Sequence, residues 1–239
     1  MSSTRESVEV YSSRARRSVG LVAFLLVVAI IFVVASKPKE ASGVKPGEKL
    51  PSFAVPLALS ALNGDANVAT HPNAGEAGRR PACTVRGPAI LNICQLYERG
   101  PVVLALFVEG GSCPNILNSL QTIAPAFPGV QFAGVSIGGN RTQLRDLVRA
   151  RELTLPVGFD QEGTLAPLYR MVTCPEVIFA YPGGVAESQP LLNQPSLTTL
   201  RSRVTALVAG ARAQGWRYAS QREGQKRSTR SAAVLKGGE

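Results

Sequence analysis

Hydrophobic and polar positions follow different rhythms in different parts of the chain. VGLVAFLLVVAIIFVVA, residues 19–35, carries no charge over 17 residues, which at 1.5 Å rise makes a helix of about 25 Å, close to the lower limit for a membrane span. Beyond Leu50 the rhythm changes. PSFAVPLALSALNGDANVA has apolar residues broken by Asn63 and Gly64, a pattern that predicts two short strands joined as an edge hairpin. Residues 71–88 are rich in Gly, Pro, Asn and Arg and read as a loop. Val102 to Val108 is a continuous apolar, β-branched run, the mark of a strand buried on both faces.

Helical spacing then alternates with strand-like runs. Ile116, Leu117, Leu120, Ile123 and Ala124 recur at three and four residues, predicting a helix over 115–126 that Pro128–Gly129 ends. Residues 130–137 predict a strand, 142–152 an amphipathic helix, 155–159 a strand and 163–169 a further helix. Val177 to Tyr181 predicts a strand, with residues 185–188 as its hairpin partner, and 197–213 the closing helix. This order argues for an α/β fold, a central mixed sheet flanked by helices. No repeat of 20 to 50 residues interrupts it.

The expected organisation is a cytoplasmic tail over 1–18, a transmembrane signal anchor over 19–36, a linker over 37–49, one domain over 50–213 and a basic disordered tail over 214–239. Arg14, Arg16 and Arg17 abut the apolar run more closely than the lysines beyond it. Long C-terminal domains are translocated largely regardless of their charge, so the domain is expected on the extracytoplasmic side of the cell membrane. A retained anchor is preferred to cleavage before Ser36, because the apolar run exceeds the usual signal-peptide core.

Charge sharpens that division. The net charge is +10, of which residues 201–239 supply nine Lys/Arg against Glu223 and Glu239. The tail is either solvated chain or a contact for an anionic envelope surface. No nucleic-acid partner is expected, since the tail offers only Trp216 and Tyr218 for stacking and no reading motif. The single histidine, His71, lies beside Pro72 in a loop with no second histidine near; it reads as a surface residue, and no metal or cofactor is expected.

Four cysteines, Cys83, Cys94, Cys113 and Cys174, suit an oxidising compartment. Cys113 falls between a buried strand and a helix, where unpaired N–H groups and the helix dipole favour a thiolate. A buried structural cysteine is the alternative.

Around these residues the chain resembles the thioredoxin-like proteins, in particular membrane-anchored disulfide reductases and their alkyl-hydroperoxide-reductase relatives. The resemblance is carried by KPGEKLPSFAVP, by PVVLALFVEGGSCPNI around Cys113, by LPVGFDQEGTLAPLYRMVTCPEVIFAYPGG, and by the anchor in front. It implies a thioredoxin-like fold, a cis Pro175 beside the reactive cysteine that, with Ser112, helps bind extended substrates, and protein thiols or disulfides as partners. Ser112 stands where the family often has Trp, and Ile116 where it has the second cysteine of C-x-x-C. Exchange therefore cannot run within CPNI. Gly110, where a peroxiredoxin would place Thr or Ser, weighs against peroxidase chemistry. Cys174 precedes Pro175, a position that faces the reactive cysteine in this fold. The resemblance thus implies Cys113 as attacking thiolate and Cys174 as resolving partner, or else an inert bridge in a binding module. Cys83 and Cys94 flank a segment absent from the compact fold and are expected to form a structural disulfide.

Overall fold

The computed structural model describes residues 43–64, 67–68 and 80–218, together with Val27. The chain divides into two units, Met1–Ala41 and Ser42–Glu239, and every strand and helix named below belongs to the second. The expected anchor lies outside the described residues apart from Val27, as do His71 and residues 219–239. Among the described residues no helix is long and apolar enough to cross a membrane.

The elements are β1 (Phe53–Pro56), β2 (Asn67–Val68), β3 (Ile90–Asn92), α1 (Ile93–Arg99), β4 (Val102–Phe107), α2 (Asn115–Ile123), β5 (Gln131–Ile137), α3 (Arg141–Ala150), β6 (Val157–Asp160), α4 (Leu165–Leu168), β7 (Glu176–Ala180), β8 (Leu191–Leu192) and α5 (Leu197–Ala213). The main sheet has the order β6-β5-β4-β7-β8. β4, β5 and β6 run parallel, and β7 is antiparallel to β4. A second sheet, β2-β1-β3, is antiparallel.

β4 explains the two-sided core. All six of its residues are buried, and because side chains alternate across a strand, Val102, Leu104 and Leu106 join one apolar cluster while Val103, Ala105 and Phe107 join the other. The first cluster gathers Leu50, Phe53, Leu165 and Tyr169; the second gathers Ile116, Leu117, Leu120, Leu200 and Leu207. Helices begin where side-chain oxygens satisfy free N–H groups. Asn92 accepts from the amides of Cys94 and Gln95, Asn140 from those of Thr142 and Gln143, and Ser196 from that of Thr199.

Four differences from the sequence reading have physical causes. Residues 89–101, to which the sequence pattern assigns no element, hold β3, which pairs with β1 and runs directly into α1. Residues 185–187 fold back on the end of β7 as expected, through the Ala180–Ala186 bridge, the Tyr181 amide on the Val185 carbonyl and the Glu187 amide on the Phe179 carbonyl; the strand the pattern does not announce is Leu191–Leu192, which pairs with the start of β7. Residues 43–49, expected within the linker, pack on the domain: Val44 is in the core, and the amides of Gly43 and Gly47 donate to the carbonyls of Arg170 and Ala186. Beyond α5 the chain does not leave the body at once, since the rings of Trp216 and Tyr218 lie against Gly100 and Gly129.

Candidate redox site

Antiparallel pairing of β4 with β7 builds the site. Leu106 is opposite Glu176, so the residues just before β7, Cys174 and Pro175, arrive beside the end of β4 at Phe107 and Val108. The Cys174–Pro175 peptide is cis. From Val108 the chain turns through Gly110–Pro114 into α2, with Pro114 at the N-cap. Cys113 therefore immediately precedes the helix cap.

The structure joins Cys113 to Cys174 in a disulfide with a Cα–Cα distance of 5.6 Å, inside the range of about 4.4–6.8 Å that a bridge needs. It also joins Cys83 to Cys94, at 5.4 Å. The two halves of the first bridge have different surroundings. Cys113 is only 6% exposed and belongs to the apolar cluster around Ile116 and Leu117, whereas Cys174 is half-buried at the edge of that cluster. Beside Cys174 stand Val108 and Val172, 39% and 65% exposed. Ser112 is exposed and Pro175 is buried, so Pro175 does not present an open face.

Several contributors had no signal in the sequence. The backbone N–H of Val108 points at both sulfurs, 3.1 Å from Cys174 Sγ and 3.5 Å from Cys113 Sγ. Any residue can donate a backbone N–H, so only the fold reveals this one. Arg151 donates from Nη1 to the Pro114 carbonyl at 2.8 Å, bringing a guanidinium to the residue after Cys113. Thr173 Oγ1 donates to Asn193 Oδ1 at 2.7 Å, tying the cysteine-bearing loop to the turn after β8. The Glu109 carboxylate accepts from Ser136 Oγ at 3.3 Å and from the Asn140 amide at 2.9 Å, which fixes the other flank of the loop.

The strand order, the two parallel crossovers, the cis proline opening the antiparallel β7 and the cysteine at the head of α2 define a thioredoxin-like fold. Solved structures share it. The chain is similar to a putative thiol:disulfide interchange protein DsbE from Chlorobium tepidum, with 14% identity, 70% of this chain and 98% of that one covered, and a TM-score of 0.51. It is also similar to a hypothetical protein from Sinorhizobium meliloti, with 12% identity, coverage of 71% and 87%, and a TM-score of 0.50. A secreted disulfide oxidoreductase of Mycobacterium tuberculosis is 23% identical over 49% of this chain and 89% of its own, with a TM-score of 0.44. No protein-family model matches the chain, and no curated protein matches it.

Two sulfurs from parts of the chain 61 residues apart meet in one bond, whose Cys174 end lies half-buried at the edge of its apolar cluster. Among the described residues no group of His, Cys, Asp or Glu is placed to hold a metal ion.

Proposed function

We propose that this protein is a TlpA/ResA-type thiol-disulfide oxidoreductase of the cell envelope. It is tethered by residues 19–36, with its domain on the extracytoplasmic side and protein thiols or disulfides as substrates. The Cys113–Cys174 pair replaces C-x-x-C. The observation that carries this reading is the bond itself: at the head of α2, where a thiolate is stabilised, the missing second cysteine is supplied from the loop before β7. Reduction opens the bridge to two thiols, and reoxidation closes it with transfer of two electrons to the substrate disulfide. The basic tail past residue 218 adds a contact to anionic envelope polymers or lipid headgroups.

A second reading has its own support. The burial of Cys113 and Pro175 favours a fixed brace in a binding module that keeps the fold without the turnover. Insulin reduction by the full chain in detergent separates the two. The oxidoreductase turns over with dithiothreitol, and Cys113→Ser abolishes the activity; a brace gives no rate above the uncatalysed one. Protease added to intact cells tests the topology, since an extracytoplasmic domain is degraded from outside and an inward-facing one is spared.

A further inference from the structure

The two cysteines differ in burial, and the difference runs against the order in which the sequence resemblance ranks them. In a C-x-x-C site the cysteine heading the helix is expected to attack. Here that residue, Cys113, is 6% exposed and packed among Ile116, Leu117 and Phe107 in one apolar cluster. Cys174 is the half-buried partner at the rim, and its neighbour two residues earlier, Val172, is 65% exposed. Thiol-disulfide exchange requires the attacking sulfur to reach the sulfur it bonds to, and proceeds faster when the sulfur it expels is a stabilised thiolate.

Both requirements select the same direction. We propose that Cys174, not Cys113, is the sulfur that exchanges with substrate, and that Cys113 is the buried resolving thiol. This rests on the oxidoreductase reading above. When the oxidised chain meets a substrate dithiol, a substrate thiolate attacks Cys174 Sγ. The Cys113–Cys174 bond breaks, a substrate–Cys174 mixed disulfide forms, and Cys113 leaves as a thiolate at the head of α2. The second substrate thiolate then attacks the substrate sulfur of the mixed disulfide, releasing Cys174; the substrate has lost two electrons and the chain holds two thiols. In the reducing direction the Cys174 thiolate attacks a substrate disulfide and expels one substrate thiolate. Cys113 then attacks Cys174 Sγ, closing the bridge and releasing the other. The Val108 N–H, 3.1 Å from Cys174 Sγ, is placed to stabilise the Cys174 thiolate that this direction begins from.

The geometry also accounts for a substitution pattern that a C-x-x-C site would not tolerate. With the exchanging sulfur on the loop before β7, position 116 is free to be the buried Ile116 of the α2 core face. Ser112, exposed beside the site, need not shield a helix-borne nucleophile.

The test uses the full chain in detergent and glutathione as probe. Cys113→Ser and Cys174→Ser are each exposed to oxidised glutathione, and the mixed disulfide is followed by intact mass. The expected result is capture at least tenfold faster by Cys113→Ser, which keeps Cys174. Because either variant can be impaired in folding, the wild type supplies a second measurement. The oxidised chain is treated with reduced glutathione, quenched in acid at early times, alkylated and mapped; glutathione should sit on the Cys174 peptide and alkyl on Cys113. Glutathione on the Cys113 peptide, or faster capture by Cys174→Ser, overturns the assignment while wild-type insulin turnover leaves the oxidoreductase reading standing. A wild type without turnover, whose bridge yields no mixed disulfide on either peptide, overturns both.

Discussion

Glu176 is packed with one carboxylate oxygen against the backbone of Gly43, so that a Cβ built on Gly43 would lie 2.7 Å from Glu176 Oε1 and 2.5 Å from Pro190 Cγ. Glu176 is fully buried and neither oxygen has a hydrogen-bond partner. Strand alternation puts it on the face of Ile178, on the side of the sheet that Val44 and Leu50 cover. The segment before β1 therefore closes over a buried acid directly after the cis proline. Burial pushes that carboxyl up to about 7.

The consequence is a pH dependence of stability with a definite sign. A carboxyl whose folded-state pKa lies above its unfolded value of 4.5 binds its proton more tightly when the chain is folded. Its contribution is fully present below about pH 4.5 and is lost as pH rises through about 7, a swing of up to roughly 3 kcal/mol. Urea denaturation of wild type and Glu176→Gln between pH 5 and pH 8 reads it. The variant should lose most of the decline; parallel curves for the two proteins would show that Glu176 is not the titrating group.

Tyr169 links α4 to the segment before β1. Its ring is fully buried and meets Phe53 edge-on at 5.9 Å, and its hydroxyl donates to the Pro51 carbonyl at 2.6 Å. Tyr169→Phe keeps the ring and strands the carbonyl, so a loss of about 1 kcal/mol is expected. Tyr169→Leu removes the ring edge as well and should cost more. Equal stability of wild type and Tyr169→Phe in urea would mean that water replaces the lost donor.

The sequence announces elements whose pattern is long and whose burial is two-sided. VVLALF and QFAGVSI read as central strands because no polar residue on a solvated face interrupts them, and α5 was legible to its last residue because its apolar spacing runs over 17 residues. β3 and α1 escaped because ILN and ICQLYER are too short for a period to emerge and follow a loop rich in Gly and Pro. Cys113 is marked by its place between a strand end and a helix, whereas Cys174 takes its meaning from the family resemblance, which puts it before the family's cis proline. Glu176 gave no such signal: a Glu after Pro reads as an exposed turn residue, and only pairing with Leu106 puts it inside. Nor can a sequence show that the helix-heading cysteine is the more buried of the two.

Cys83 and Cys94 close a loop of 11 residues in separation. Cys94 is buried on α1, and Cys83 Sγ lies 3.4 Å from Ser52 Oγ and 3.7 Å from the Tyr97 hydroxyl. The bridge restricts the unfolded chain, and the double replacement Cys83→Ala with Cys94→Ala should lower stability by about 2–3 kcal/mol. Insulin turnover per folded molecule should be unchanged, because these cysteines belong to the other apolar cluster from the Cys113–Cys174 pair. A parallel loss of turnover would place them in the electron path instead.

α2 is held against the sheet by a close fit between Leu117 and the bare backbone of Gly134. Gly134 lies in β5 opposite Ala105, and a Cβ there would stand 2.5 Å from Leu117 Cδ2 and 3.3 Å from Phe107 Cε1. Its backbone is ordinary extended strand, so Gly134→Ala brings no conformational penalty of its own; the conflict is chiefly with Leu117, a fully buried residue on the helix that Cys113 precedes, with Phe107 a lesser neighbour. Overpacking of this kind costs about 1–3 kcal/mol. Leu117→Ala alone leaves a cavity and should cost about 2–5 kcal/mol. Combined, the new methyl occupies part of the space that Leu117 vacates. The double variant should therefore be more stable than the sum of the single losses predicts, by a coupling of about 0.5–3 kcal/mol. Strict additivity in urea would mean that α2 shifts away from β5 in Gly134→Ala, and that the helix carrying the head of the redox site is free to move.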